Sequence, residues 1–194
     1  MIFAVRSRLA AMLLAIILPA IIVLPATSLL ADQTDARLPA LFTELRTTSE
    51  AKKAKIVAAE IWQIWSEHSD NDKLSERLKL GIAQMEAGRL RQAEQIFTTI
   101  IDTDPAFAEA WNKRATVRFL LGNDTGSRRD IARVIDLEPR HFGALSGLGM
   151  INMRDGDLQG ALQAFEAALR VNPHLDQAVD VTKQLRQQLR GQPL

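Results

Sequence analysis

Apolar residues recur along the chain at the three- and four-residue spacing of one helix face. Between residues 74 and 175 these apolar segments come in pairs, because a glycine or a proline interrupts the pattern at short intervals. The pattern predicts helices over 74–87, 90–103, 108–121, 124–137, 142–155 and 158–171. The predicted fold class is therefore all-α.

Prolines and glycines repeat in the same region at an interval of 34 residues. The equivalent positions are Pro105, Pro139 and Pro173, then Gly88, Gly122 and Gly156, and the small residues Gly81, Ala115 and Gly149. Because proline and glycine constrain or free the backbone most strongly, their agreement in register indicates a repeated structure. Three copies are predicted, over 74–107, 108–141 and 142–175, and helical hairpins of this length bury their apolar faces by stacking on one another.

The second and third copies carry a recognisable motif. The second copy reads Ala-Glu-Ala-Trp-Asn-Lys-Arg-Ala from Ala108, with Leu-Gly-Asn at 121–123 and Leu-Glu-Pro at 137–139, and the third keeps Gly149, Gly156, Ala161, Phe165, Ala168 and Pro173. Over residues 74–175 the chain thus resembles the tetratricopeptide repeat family. The resemblance implies a right-handed α-solenoid of stacked helix–turn–helix repeats, which binds a protein or peptide partner and has neither catalytic activity nor a cofactor.

In this family the first helix of each repeat lines a concave groove that holds the ligand. The matching positions here are Leu78, Ile82, Met85, Asn112, Thr116, Phe119, Ser146, Met150 and Met153. Members that bind chaperone tails clamp a terminal carboxylate with polar and basic residues, but Leu78 and Ile82 stand at the first clamp positions, so that activity is not implied. A groove rich in methionine suits an amphipathic helix or an apolar segment. Alternatively, these residues are ordinary core, or a helix of the chain itself fills the groove.

Further helices flank the predicted repeats on both sides. Leu38 to Arg46 and residues 50–68 form a helical pair within 32–73, interpreted as a degenerate repeat that covers the exposed end of the array. Residues 176–194 are predicted to hold a capping helix, over 177–190, and a short tail. The helix of Leu38 to Arg46 is the candidate for filling the groove from within.

The first 31 residues have the composition of a secretory signal peptide. Arg6 and Arg8 precede an apolar run from Leu9 to Leu24, and small residues follow, so cleavage is expected after Ser28 or Ala31. This predicts export to the periplasm. An uncleaved segment would instead anchor the protein in the inner membrane, facing the periplasm.

Composition narrows the classes of function. The sequence has no cysteine, which excludes disulfides, thiolate catalysis and cysteine metal sites. Without the predicted signal peptide, 22 basic residues remain against 23 acidic ones, and a near-neutral chain is a poor ligand for nucleic acid.

Two clusters could suggest chemistry, and neither does so strongly. The glycines between Gly143 and Gly149 lie inside a predicted helix, whereas a phosphate-binding turn follows a strand. His68, His141 and His174 lack the spacing of a metal site and are predicted to be surface or helix-capping residues. We expect no metal site, no cofactor and no catalytic residues.

One charged residue stands at an apolar position of the repeat. Arg114 occupies the place that Leu80 and Leu148 hold in the other copies, and an unpaired charge there would be costly. Asp130, on the second helix of the same hairpin, is the predicted partner in a structural salt bridge.

Overall fold

The computed structural model describes residues 32–191, and within them the chain forms nine α-helices, a short 3-10 turn at Asp32–Thr34 and no strand. The helices are α1 Leu38–Thr47, α2 Ala51–Ser66, α3 Asp72–Glu86, α4 Leu90–Thr103, α5 Ala108–Leu120, α6 Asp124–Leu137, α7 Phe142–Arg154, α8 Leu158–Val171 and α9 Asp176–Arg190. The all-α solenoid predicted from the sequence is confirmed. The predicted signal peptide lies outside the described residues, and none of the described helices is long and apolar enough to span a membrane.

The 34-residue period sets where the helices begin. Helices α5, α7 and α9 start one period apart, at Ala108, Phe142 and Asp176, so the repeat continues beyond the third copy into α9. The turn inside each hairpin is made by Gly88, Gly122 or Gly156, with φ of 72°, 77° and 78°. This left-handed backbone conformation favours glycine, which explains the spacing of these residues.

Small residues bring the two helices of a hairpin close together, as the sequence predicted. A Cβ atom added at Gly149 would lie 2.7 Å from the ring of Phe165, and one at Gly81 would overlap the ring of Phe97. The aromatic side chain of the second helix therefore occupies the space that a side chain on the first helix would need. Phe97 is fully buried among residues of α3, α4 and α5, which joins the first repeat to the second.

The N-terminal pair α1–α2 packs along the row of junctions between repeats, rather than over the end of the array as the sequence led us to expect. Phe42 and Trp65 form one buried cluster with Phe142 at the start of α7, and Val171 and Leu175 pack against that cluster. The physical reason is that these junction residues offer the apolar face of α1–α2 a continuous surface across two repeats. The interpretation of the pair as a degenerate repeat stays a prediction.

Polar contacts hold the same edge of the array. His68, just after α2, lies 2.7 Å from a carboxylate oxygen of Asp104 at the end of α4. The amide of Gln33 donates to the carbonyl oxygen of Ala106 at 3.2 Å. The pair thus spans the junctions from the first repeat to α9.

The predicted salt bridge between Arg114 and Asp130 is confirmed. Both guanidinium donors Nε and Nη2 of Arg114 lie 2.9 Å from the two oxygens of Asp130. Arg118 shares the same carboxylate at 2.8 Å, and Arg114 also donates to the hydroxyl of Thr98 at 3.1 Å. Because Asp130 is 1% exposed, this network fixes the α5–α6 hairpin against α4.

Candidate binding groove

Helix α7 lies between two adjoining hollows on the face formed by the first helices of the repeats. The α5–α7 hollow, of about 260 Å³, is lined by Asn112, Thr116, Phe119, Leu120, Ile131 and Met150, among others. The α7–α9 hollow, of about 810 Å³, is lined by Trp62, Ser146, Met150, Phe165, Asp180 and Val181, among others. Gly143, Gly147 and Met150 border both hollows, so the two form one continuous groove.

The glycines of α7 explain why a groove opens along this helix. Gly143 and Gly147 stand one turn apart on the same face and present bare backbone to both hollows. A Cβ atom at Gly143 would lie 2.5 Å from the ring of Trp62, whereas one at Gly147 would lie 3.3 Å from the side chain of Ile131. Within residues 32–191 no strand precedes them, and the glycine cluster serves helix packing and the shape of the groove.

The structure brings five of the nine predicted groove residues to these hollows. Asn112, Thr116 and Phe119 line the first, Ser146 lines the second, and Met150 lines both. Met150 is 46% exposed, which leaves a large apolar side chain free at the centre of the groove.

The other four predicted residues lie elsewhere. Leu78 is fully buried in the core between α3 and α4, and cannot reach a partner. Ile82 and Met85 are partly buried and pack on the same core cluster. Met153 is 38% exposed, one helical turn beyond Met150.

Two elements that the sequence analysis left out of the groove contribute to it. Helix α9 supplies Asp176, Asp180 and Val181 to the α7–α9 hollow. The signal was present, because Asp180 stands one period after Ser146, which itself stands one period after Asn112. Helix α2 supplies Trp62, for which the sequence holds no comparable signal.

The chain's own first helix does not fill this groove. No residue of α1 lines either hollow, and α1 instead packs on α2 and α8. The alternative in which Leu38 to Arg46 fills the groove from within is therefore wrong.

A buried polar network lies behind the α5–α7 hollow. Glu109 and His141 are both 0% exposed, and the Nε2 atom of His141 lies 3.0 Å from the Glu109 carboxylate. The ammonium of Lys113 approaches the same carboxylate at 3.0 Å, and the amide of Asn112 donates to it at 3.0 Å. Glu109 thus fixes the orientation of Asn112 in the groove wall.

His141 connects this network to two helices. Its Nδ1 atom accepts a hydrogen bond from the backbone N–H of Ala144 at 3.1 Å and so caps the start of α7. Its ring stacks on Trp65 of α2 at a centroid distance of 4.2 Å. The predicted capping role is confirmed for this histidine, whereas the predicted surface position is wrong.

The surroundings of Glu109 set the direction of its pKa. Burial alone would raise the pKa of this carboxyl group. The pKa nevertheless lies below its ordinary value, because the ammonium of Lys113 and the ring of His141 together outweigh burial. The ionised carboxylate is therefore the form that the fold stabilises.

We expect Glu109→Gln to lower the free energy of unfolding at neutral pH by about 1–3 kcal/mol, since an amide cannot replace the ionic contacts. A carboxyl group with a depressed pKa in the folded state stabilises the protein above its unfolded pKa, about 4.3, and that contribution disappears as the pH falls through the folded value. The difference between wild type and variant, measured by urea unfolding, should therefore shrink below about pH 4. The exposed Glu76→Gln serves as control, and a difference independent of pH would contradict the assignment.

Within the described part of the chain, no group of three histidine or acidic side chains could hold a metal ion. His68 is occupied by Asp104, and His141 by Glu109 and the α7 N-terminus. The groove therefore offers apolar contact and a few polar groups, which suits binding.

Comparison with known proteins agrees with this geometry. The tetratricopeptide repeat signature matches residues 78–133 and 125–176, which together make up about half of the chain. A TPR repeat-containing protein of Rhizobium etli is 34% identical over 155 residues, covering 80% of this chain and 76% of the relative.

Two solved structures of peptide complexes share the fold. The first TPR domain of Spaghetti (RPAP3), bound to the HSP90 peptide SRMEEVD, superposes with a TM-score of 0.59 at 21% identity, covering 63% of this chain and 97% of that domain. The Yersinia enterocolitica type III secretion chaperone SycD, in complex with a peptide of the translocator YopD, gives a TM-score of 0.58 at 12% identity, covering 62% of this chain and 97% of SycD. At these identities the likeness is one of fold.

Proposed function

The chain belongs to the tetratricopeptide repeat family, and on this premise we propose that it is a non-catalytic scaffold that binds a peptide or helix of a partner protein in its concave groove. The observation that carries the proposal is the meeting of two apolar hollows at Gly143, Gly147 and Met150. An exposed apolar patch in a concave surface is the usual mark of an interaction site. Bare glycine backbone lets another polypeptide approach closely, and Met150 adapts its shape to the occupant.

The structural neighbours support the same reading. The RPAP3 domain and SycD each hold a peptide in their solved complexes. A peptide or helix is therefore the class of ligand that we propose for this chain as well. Nucleic acid is disfavoured, because the α7–α9 hollow contains carboxylates and no lysine or arginine.

We further propose that residues 1–31 direct export and that the protein acts in the cell envelope. The support is the sequence pattern of Arg6 and Arg8, the apolar run from Leu9 to Leu24, and the small residues that follow. In the alternative, this segment stays attached and makes the protein a membrane-anchored organiser of an envelope complex. The intact mass of the native protein separates the two, since export with cleavage removes about 30 residues.

An enzymatic function has less support. The acid and imidazole that lie closest together, Glu109 and His141, are both 0% exposed and therefore cannot touch a substrate. The groove itself presents mainly apolar side chains. These features favour binding over catalysis.

The test is a partner capture with Met150→Lys. The full-length chain, expressed with a C-terminal tag in its source organism, is recovered from envelope extracts, and co-purifying proteins are quantified by mass spectrometry. A lysine at the centre of the groove must lose water to accept an apolar segment, so recovery of the partner should fall about tenfold or more.

The matched control is Ile56→Lys, which changes an equally exposed apolar side chain outside both hollows. We expect the control to recover the partner like wild type, and both variants to retain their helical circular dichroism. Equal recovery by Met150→Lys and wild type would place the binding surface outside the groove.

A further inference from the structure

We propose that the α7–α9 hollow binds an apolar segment of a partner protein that carries a lysine or arginine next to its apolar residues. This inference rests on the proposed binding function and specifies the chemistry of the partner. It follows from two properties of one surface, an apolar floor and an acidic edge.

The floor of the hollow is built from large apolar and aromatic side chains. Trp62, Phe142, Met150, Phe165 and Val181 contribute to it. With a volume of about 810 Å³, the space accommodates several side chains of a bound segment. Apolar residues of a partner would therefore supply most of the contact area.

The edge of the hollow is acidic on the α9 side. Asp176 and Asp180 are exposed on the first two turns of α9 and line the hollow, whereas no lysine or arginine does. His174 is the remaining titratable residue of the lining. A cationic group beside the apolar floor would face two carboxylates about one helical turn apart.

The nearby lysines do not neutralise this edge. Lys183 lies 3.5 Å from Asp180, but the two side chains are 66% and 72% exposed, so the pair is weak and easily exchanged for another cation. Lys113 lies against Glu109 and over the ring of Trp62, away from α9. Asp176 has no ion-pair partner among the described residues.

The same edge disfavours an acidic ligand. The HSP90 peptide in the RPAP3 complex carries three carboxylate side chains in its printed sequence, SRMEEVD. A segment of that kind would bring like charges together at Asp176 and Asp180, which lowers affinity. The geometry thus separates this groove from one that holds an acidic tail.

The experiment selects ligands without assuming one. A displayed library of random peptides is panned against the protein purified from full-length expression, with Met150→Lys and the double variant Asp176→Asn/Asp180→Asn panned in parallel. We expect wild type to enrich apolar peptides containing lysine or arginine. The double variant should enrich apolar peptides without that preference, and Met150→Lys should enrich none of them.

The best peptide is then synthesised with its cationic residue intact and with glutamine in its place, and affinity is measured by fluorescence anisotropy. The double variant should bind the cationic peptide about three- to tenfold more weakly than wild type, and should not distinguish it from the glutamine version. Raising the salt concentration to about 0.5 M should remove the difference for wild type as well.

The outcomes separate the two proposals. Selection that depends on Met150 but shows no cationic preference, or prefers acidic peptides, overturns this inference and leaves the proposed binding function standing. Selection that does not depend on Met150 overturns both. If residues 1–31 remain on the purified chain and their removal is required for any peptide to bind, the occupant is the chain's own leader, and a partner segment is the wrong assignment.

Discussion

Replacing Asp130 by alanine is expected to lower the free energy of unfolding by about 3–5 kcal/mol, because it removes the one carboxylate that two partly buried guanidinium groups share. Arg114 and Arg118 each donate to Asp130 within 3.0 Å. The Arg114 side chain is 9% exposed, so the guanidinium cannot recover full hydration when its partner is lost. Thr98 would remain as a neutral acceptor and could not compensate the charge.

Urea unfolding followed by circular dichroism measures this effect. The matched control is Asp136→Ala on the same helix, where the carboxylate is exposed and the expected change stays within about 0.5 kcal/mol. A loss below about 1 kcal/mol for Asp130→Ala would mean that the arginines reach water or another acid, and would contradict the structural role assigned to this network.

Trp65→Ala should cost about 3–5 kcal/mol as well, and its damage should be concentrated in the N-terminal pair. Trp65 is 2% exposed and stacks on His141, with the rings of Phe42 and Phe142 packed at its sides. Its indole Nε1 atom makes no hydrogen bond within the described residues, so the whole effect is one of packing. The cavity would lie between α2 and the junction of the second and third repeats.

Hydrogen exchange distinguishes this local damage from general instability. We expect amides of α1 and α2 in Trp65→Ala to exchange faster than those of α4 and α8, because the pair contacts the array through this cluster. Ile56→Ala, on the same helix but 60% exposed, should leave both the exchange pattern and the stability unchanged. Uniform acceleration across all helices would show that the pair and the array unfold as one unit.

The repeated part of the fold could be predicted from the sequence because its period is written in scarce residues. Gly88, Gly122 and Gly156 mark turns that require a positive φ, and this fixes helix ends to within about two residues. The ion pair of Arg114 and Asp130 was predictable for a related reason. A charge at an apolar column needs a partner, and the facing helix of the hairpin offers only a few positions.

The placement of α1–α2 could not be predicted in this way, because it depends on contacts between residues far apart in sequence. Trp65 and His141 stack across 76 positions of chain, and no periodic signal connects them. The burial of His141 and Glu109 was missed for the same reason. By contrast, the role of α9 in the groove was readable, since Asp180 continues the column of Asn112 and Ser146.

The central claim is that a partner polypeptide lies in the groove along α7. A photo-crosslinking amino acid placed at Met150 tests it most directly, with the same residue placed at Ile56 as the reference on the opposite surface of the groove-forming helices' packing. Illumination in living cells should join the protein to one partner through position 150, with adducts mapped by mass spectrometry to an apolar segment, and give no adduct through position 56. Adducts from position 56 with none from position 150 would contradict the account.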